Sequence, residues 1–351
     1  MAHVSRIVIL IFAGSILAQA QSSTLFSAAS SPPQRVRSEA ANPNFAEARK
    51  LLQQGKYDDA IAQLRELKTR SPELKGVSHE LGAANYAKGD YPKAADFLRL
   101  ALQEDPGDNE ATQLLGLSYY LSGRPADAIP NLEKVQSWYP RANVNATYIL
   151  AMCYMQTHDY ERAHKAFARM YDVPEDSAAS YLFTARMLLR QEFEPVAEEY
   201  ANKAIALDPK LPRAHFLLGE LHMFKSRVPA AIEEFKKEIA INPGDASTYY
   251  KLGDAYSRVQ KYDEAEQVLQ QSIWLDSTST GPYILMGKVL AKKGESELAV
   301  RALQRALSMD PNNSVAHHLL GQTYRDLGRS EEAERELKLA EQLTNGELQK
   351  P

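Results

Sequence analysis

From residue 41 onward, small, apolar and polar positions recur with one spacing. Segments ending in Asp105-Pro106, Asp208-Pro209, Asn242-Pro243 and Asp310-Pro311 resemble one another along their whole length, and their separation is a multiple of 34 with one residue over between the first two. Counted from Ala41, repeats begin at Ala41, Lys75, Asn109, Val144, Ala178, Pro212, Ala246, Thr280 and Ser314, with a single extra residue near Asn143. A period of this length marks a stack of like supersecondary units. The eighth position of every repeat is small, from Ala48 and Gly82 to Gly321, and the twentieth is Ala in all nine, from Ala60 to Ala333. Small residues at both places let two antiparallel helices approach closely, while Leu81 with Leu98, or Leu252 with Leu269, fill the space around the contact.

Between those helices fall Gly55-Lys56-Tyr57, Gly89-Asp90-Tyr91, Gly123-Arg124-Pro125 and Gly328-Arg329-Ser330. Glycine there can take the left-handed conformation that ends a helix. The second helix stops near Pro72, Pro106, Pro140, Pro209, Pro243 or Pro311, because the residue before a proline disfavours the helical region. Each repeat therefore reads as helix, tight turn, helix, turn. In the third copy Leu115, Gly116, Tyr119, Ala128, Leu132 and Pro140 carry the pattern, with Val135 in place of a second Ala. This resembles the tetratricopeptide repeat family over residues 41 to 347. The resemblance implies an all-α fold, a right-handed α-solenoid (superhelix) of antiparallel helix pairs, with a concave surface lined by the first helix of each pair.

Four departures stand out. Glu47 replaces an apolar residue in the first repeat, as an end repeat with a solvent-facing side would have it. The fourth repeat has Pro174 one place early and Glu175 in its stead; repeats seven and nine carry Ser277 and Asn345 where proline is expected. The charged helix around Glu331 to Gln342 is expected to act as the C-terminal cap, and residues 348 to 351 as a short tail.

Ahead of the repeats, Arg6 precedes the apolar run Ile7 to Leu17 and the triplet Ala18-Gln19-Ala20 follows, the order of a secretory signal peptide over residues 1 to 20. The run is eleven residues long, whereas a bilayer span needs about 20, so no permanent membrane span is expected after cleavage before Gln21; retention as an anchor is the alternative. Residues 21 to 40, rich in Ser, Ala, Gln and Pro, read as a flexible linker. The expected location is outside the cytoplasm, periplasmic or secreted, in a bacterial setting.

Charge and cysteine narrow the function. With 41 Lys and Arg against 45 Asp and Glu the chain lacks the basic excess that nucleic acid demands. Cys153 is the one cysteine, which excludes an internal disulfide and any cysteine zinc cluster and reads as a buried structural thiol. Fragments that imitate active sites fail on spacing. Gly281 to Lys288 is one residue too long for a phosphate loop, and His79-Glu80 lacks the second zinc-binding histidine, since Ala83 stands there. His215, Glu220 and His222 could approach one metal, but the histidines hold positions where Tyr249 and Tyr256 stand in the next repeat, so packing explains them better. The chain is therefore not expected to be an enzyme or to need a cofactor or metal.

The family resemblance places positions 2, 5, 9, 12 and 13 of each repeat in the groove. Carried over, these give Tyr120, Tyr148, Met152, Met155, Leu182, Phe216 and Met223, with Arg186, Arg190 and Arg213 beside them, and Arg258 and Lys288 farther on. Aromatic residues, Met and Arg are enriched at interface centres. The function that follows is a non-enzymatic scaffold holding an extended peptide or a partner helix. The alternative is a subunit of a bacterial envelope assembly for secretion, pilus formation or polysaccharide export.

Overall fold

The computed structural model describes residues 45–138, 144–190 and 194–346. The signal peptide, the linker, residues 41–44, the extra residue near Asn143 and the tail lie outside the described residues.

Eighteen helices and no strand make up the described residues. They fall into two compact units that divide at Asp159/Tyr160, inside the fourth repeat. The first unit holds α1 (Ala46–Gln53), α2 (Tyr57–Arg70), α3 (Val77–Lys88), α4 (Tyr91–Glu104), α5 (Asn109–Leu121), α6 (Pro125–Trp138) and α7 (Val144–Gln156). The second holds α8 (Tyr160–Met170), α9 (Ala178–Arg190), α10 (Glu194–Leu207), α11 (Ala214–Phe224), α12 (Val228–Ile241), α13 (Ala246–Arg258), α14 (Tyr262–Leu275), α15 (Thr280–Lys293), α16 (Ser296–Met309), α17 (Ser314–Asp326) and α18 (Ser330–Thr344). Odd numbers are first helices of repeats and even numbers second helices.

Close approach within a repeat depends on the two small positions. All nine alanines at position 20 are buried, and a Cβ added to Gly253 would lie 2.7 Å from Leu269 Cγ, itself fully buried. Position 8 thus faces the large residue at position 24 of the same repeat, which is more specific than a general filling of the surroundings. The turn between the helices is also more uniform than its glycines suggest. Position 15 is left-handed at Gly89 (φ 87°), and equally at His158 (φ 61°), Ser226 (φ 57°) and Gln260 (φ 61°). At each the next amide closes the turn onto a carbonyl five residues back, as in Asp90 N–H to Asn85 (2.9 Å) and Lys261 N–H to Tyr256 (3.0 Å). Two small-residue seams and a closed turn fix the hairpin, and side chains at position 15 are accommodated at a strain cost.

Repeats are joined by position 21 of one second helix and position 14 after the next first helix. Glu198 meets Lys225 (2.5 Å) and Glu266 meets Lys293 (2.5 Å), while between and after them Ile232 shares an apolar cluster with Val259, and Val300 another with Leu327. Lys225 holds the Glu198 carboxyl below the usual range. On α18 the residues equivalent to Val300 and Leu307 are Glu334 and Glu341, both exposed, so the last described face is solvated as a cap should be. Glu47 is exposed at the other end, also as expected.

Candidate functional site

Within each unit the first helices of successive repeats touch one another, α3 with α5 and α5 with α7, then α9 with α11 and onward to α17. Second helices instead reach the next repeat chiefly through its first helix. This asymmetry sets the first helices on the inner side of each stack. In the second unit their positions 9 and 13 point away from the seams and carry Arg186, Arg190, Arg258, Lys288 and Lys292, all exposed. Lys288 and Lys292 are one turn apart on α15; like Arg186, neither has an ion pair or hydrogen bond among the described residues. Arg258 is tied to Asp254, Nε to Oδ2 3.1 Å.

The apolar half of the expected groove is placed differently. Met152, Met155, Leu182 and Phe216 are buried, and Met223 is half-buried against the cluster that contains Phe216. These are corrections: the four buried side chains belong to the core, because position 5, 9 or 12 can turn into the helix seam, where burial stabilises an apolar side chain by roughly 1.5–3 kcal/mol. Phe216 illustrates this, its ring centroid 5.8 Å from that of Phe235 on the second helix of its own repeat. Tyr120 and Tyr148, in the first unit, stay half-buried. Burial pushes the Tyr120 hydroxyl up to about 12 and the Cys153 thiol likewise to about 12, so the cysteine is a protected structural thiol.

Arg213 is the second correction. Its guanidinium donates to Asp245 Oδ2 (2.5 Å) and Ser247 Oγ (2.8 Å) and lies 3.6 Å from the centre of the Phe216 ring. It joins repeats six and seven and is not available as a groove cation. Burial opposes ionisation of Asp245, but the hydroxyls of Thr248 and Ser247 and the Arg213 guanidinium outweigh it and hold the carboxyl low. Backbone and side chain at Arg213 are both constrained, since it caps α11 with φ 73° and donates its N–H to Glu238 Oε1 (2.7 Å).

Glu238 was not singled out in the sequence, although it stands where four of the nine repeats have Ala, as in Ala101, Ala204 and Ala306, and no other has a charged residue. Its carboxylate is fully buried and accepts from Arg213 N–H and Phe216 N–H (3.2 Å), satisfying two of the donors that a helix start leaves unpaired. Ser272 at the same position of repeat seven donates to the Ala246 carbonyl (2.8 Å). In the first unit His79, at a groove position, sits 2.6 Å from Asp108 Oδ2 and 3.7 Å from Glu110. Burial works against its charged form, yet Asp108 and then the charges of Glu110 and Glu80 raise its pKa.

No catalytic arrangement emerges from these groups. The fragment Gly281 to Lys288 lies inside α15, and His215 pairs with Glu234, Nδ1 to Oε2 2.6 Å. Among the described residues no group of three or more His, Cys, Asp or Glu is placed to hold a metal ion, and no helix is long and apolar enough to cross a membrane.

Helix pairs with small-residue seams and, within each unit, an inner face of first helices define a tetratricopeptide repeat solenoid, a class that serves as a protein–protein interaction scaffold. Sequence profiles agree: the chain belongs to the tetratricopeptide repeat family, matched over residues 45–109 and 184–246, 119–183, 234–267 and 302–335, and 281–313. Among curated proteins, the intraflagellar transport protein 88 homolog of Homo sapiens is 34% identical over 89 residues, which are 24% of this chain and 11% of that protein. The chain therefore spans a small fraction of that relative's length. Among solved structures, YrrB, described as a TPR protein with an unusual peptide-binding site, is 23% identical and covers 52% of this chain and 93% of its own, with a TM-score of 0.46. MamA from Desulfovibrio magneticus RS-1 is 19% identical and covers 49% and 97%, with a TM-score of 0.46.

Proposed function

We propose that the chain is a non-enzymatic scaffold that holds an extended, acidic segment of a partner protein along its first helices. The observation that carries this reading is the set of exposed cations on α9, α13 and α15, of which Arg186, Lys288 and Lys292 have no counter-charge among the described residues. A solvated cation on its own is ordinary surface. Arg186 on repeat five and Lys288 with Lys292 on repeat eight raise the local potential for an anionic segment. Tyr120 and Tyr148 offer half-buried aromatic surface on the same helix set in the first unit. The signal-like residues 1 to 20 support an exported chain, so the partner is sought outside the cytoplasm.

Site-specific photocrosslinking tests the reading. A benzoylphenylalanine at residue 288 or 186 is expected to capture a partner in intact cells, and one at the exposed Lys236 of α12 is not. Capture at 288 should fall with Lys292→Glu and with rising salt. Protein recovered for the experiment should begin at Gln21. Crosslinks confined to residue 236 would place the partner on the second helices and refute the assignment of the face.

A further inference from the structure

One second helix breaks the period. Helix α8 spans 11 residues where the other second helices span 14 or 15. Its last turn is replaced by a loop in which Asp172 takes φ 52° and Pro174 follows. The loop is pinned from inside, since the Glu175 carbonyl accepts from His164 Nε2 (2.6 Å) and from Ser180 Oγ (2.6 Å). Beside the first half of α8, where the loop folds back to His164, there is an open cavity of about 460 Å³ bounded by α8, α9 and α10.

Its floor is aromatic. His164 stacks on Tyr181 with centroids 4.4 Å apart, and Tyr200 completes the group at 5.5 Å from His164 and 5.7 Å from Tyr181. Its rim carries Glu161, Glu175 and Asp176. The chain itself shows what such a floor accepts: Lys203 Nζ lies 5.0 Å from the Tyr200 centroid and 6.0 Å from that of Tyr181. That lysine is anchored only by Glu199, at 2.8 Å, and Lys165 is paired with Glu161 at 2.8 Å. Both lysines are therefore matched by glutamates, whereas the exposed Asp176 has no ion pair among the described residues. Burial lowers the proton affinity of His164, so the floor adds no competing charge near neutral pH.

We propose that this cavity binds the guanidinium of an arginine side chain presented by a partner protein, stacked on Tyr181 and Tyr200 and paired with Asp176, with Lys203 as the resident cation it displaces. A planar, weakly hydrated cation suits a broad aromatic floor better than a compact ammonium does, and can pair with a carboxylate in two bonds. The site is independent of the first-helix face, so two partners, or two parts of one, can be held together.

Titration of the full-length protein with N-acetyl-arginine amide, followed through the His164 ring resonances, tests this directly. N-acetyl-citrulline amide, the neutral isostere, is the control. The arginine amide should give a saturable shift and the citrulline amide none. Lys203→Met should tighten binding about two- to fivefold by removing the competitor, and Asp176→Asn should weaken it by a similar factor. Both altered side chains are exposed, so folding is not at stake. Absence of a saturable shift in both the wild type and Lys203→Met, an equal response to citrulline, or weaker binding in Lys203→Met would overturn the proposal.

Discussion

Replacing Glu238 by Ala would install the residue that occurs most often at that position, in four of the nine repeats, and the structure says it should nevertheless destabilise the protein. Two effects oppose each other. Removing a buried carboxylate relieves a desolvation penalty of several kcal/mol. Against this, the N–H groups of Arg213 (2.7 Å) and Phe216 (3.2 Å) lose the acceptor that satisfies them. Hydrogen bonds to a charged group contribute roughly 1.5–3 kcal/mol each, and a stranded buried donor costs about 1–3 kcal/mol. The first turn of α11 also loses a negative group at its positive end, and a small cavity opens beside Phe216. The net loss is expected at about 2–4 kcal/mol, confined to repeat six and its neighbours because a solenoid does not share one core. Amide exchange is the suitable assay, since a single midpoint is ill-defined for a repeat array. The Phe216 and Leu217 amides should exchange roughly 30- to 1,000-fold faster, each tenfold being about 1.4 kcal/mol, while amides of α3 and α5 stay unchanged. If Glu238→Ala left exchange on α11 unchanged or slower, the carboxylate would not be the cap described above.

Two further outcomes are expected. Gln260→Gly should stabilise by about 0.5 kcal/mol, because relief of roughly 1 kcal/mol of left-handed strain exceeds the added freedom of the unfolded chain, and Gly89→Ala should destabilise by about 1 kcal/mol; faster exchange of the Lys261 amide, which closes that turn, in Gln260→Gly would contradict this. The raised pKa of His79 means that its link to Asp108 contributes stability fully below the unfolded value of about 6.5 and loses it as pH rises through the folded value. Because the Asp108 carboxyl is held low, the window closes again only in strong acid. The loss of α3 amide protection in His79→Gln, corrected for the intrinsic pH dependence of exchange, should therefore be larger near pH 5.5 than near pH 8.5, within about a unit of those values; a pH-independent loss would refute the assignment.

The period, the helix pairs and the seams were legible because each rests on residue size at fixed spacing, and Ala60 through Ala333 state it nine times. The turn was legible only where glycine marks it. His158, Ser226 and Gln260 take the same left-handed backbone because closure of the hairpin outweighs their local preference. Groove positions were half legible: charge at Arg186 or Lys288 keeps a side chain in water wherever the helix is set, whereas an apolar side chain at Phe216 or Met155 turns to whichever surface buries it. Arg213 looked like groove chemistry because Asp245, its partner, is 32 residues away in sequence. The early Pro174 signalled that repeat four departs from the pattern, but not that three aromatic or heteroaromatic rings would gather beneath the shortened α8.

The joint between position 21 and the following position 14 alternates, Glu198 with Lys225, Ile232 with Val259, Glu266 with Lys293, Val300 with Leu327. Excising repeat six alone would bring Glu198 against Val259, a carboxylate against a methyl surface. Excising six and seven together would bring it against Lys293, a matched joint. In this half of the chain the interchangeable part is thus a pair of repeats, and a lineage that lengthened or shortened the solenoid without repairing its joints would have done so in even steps.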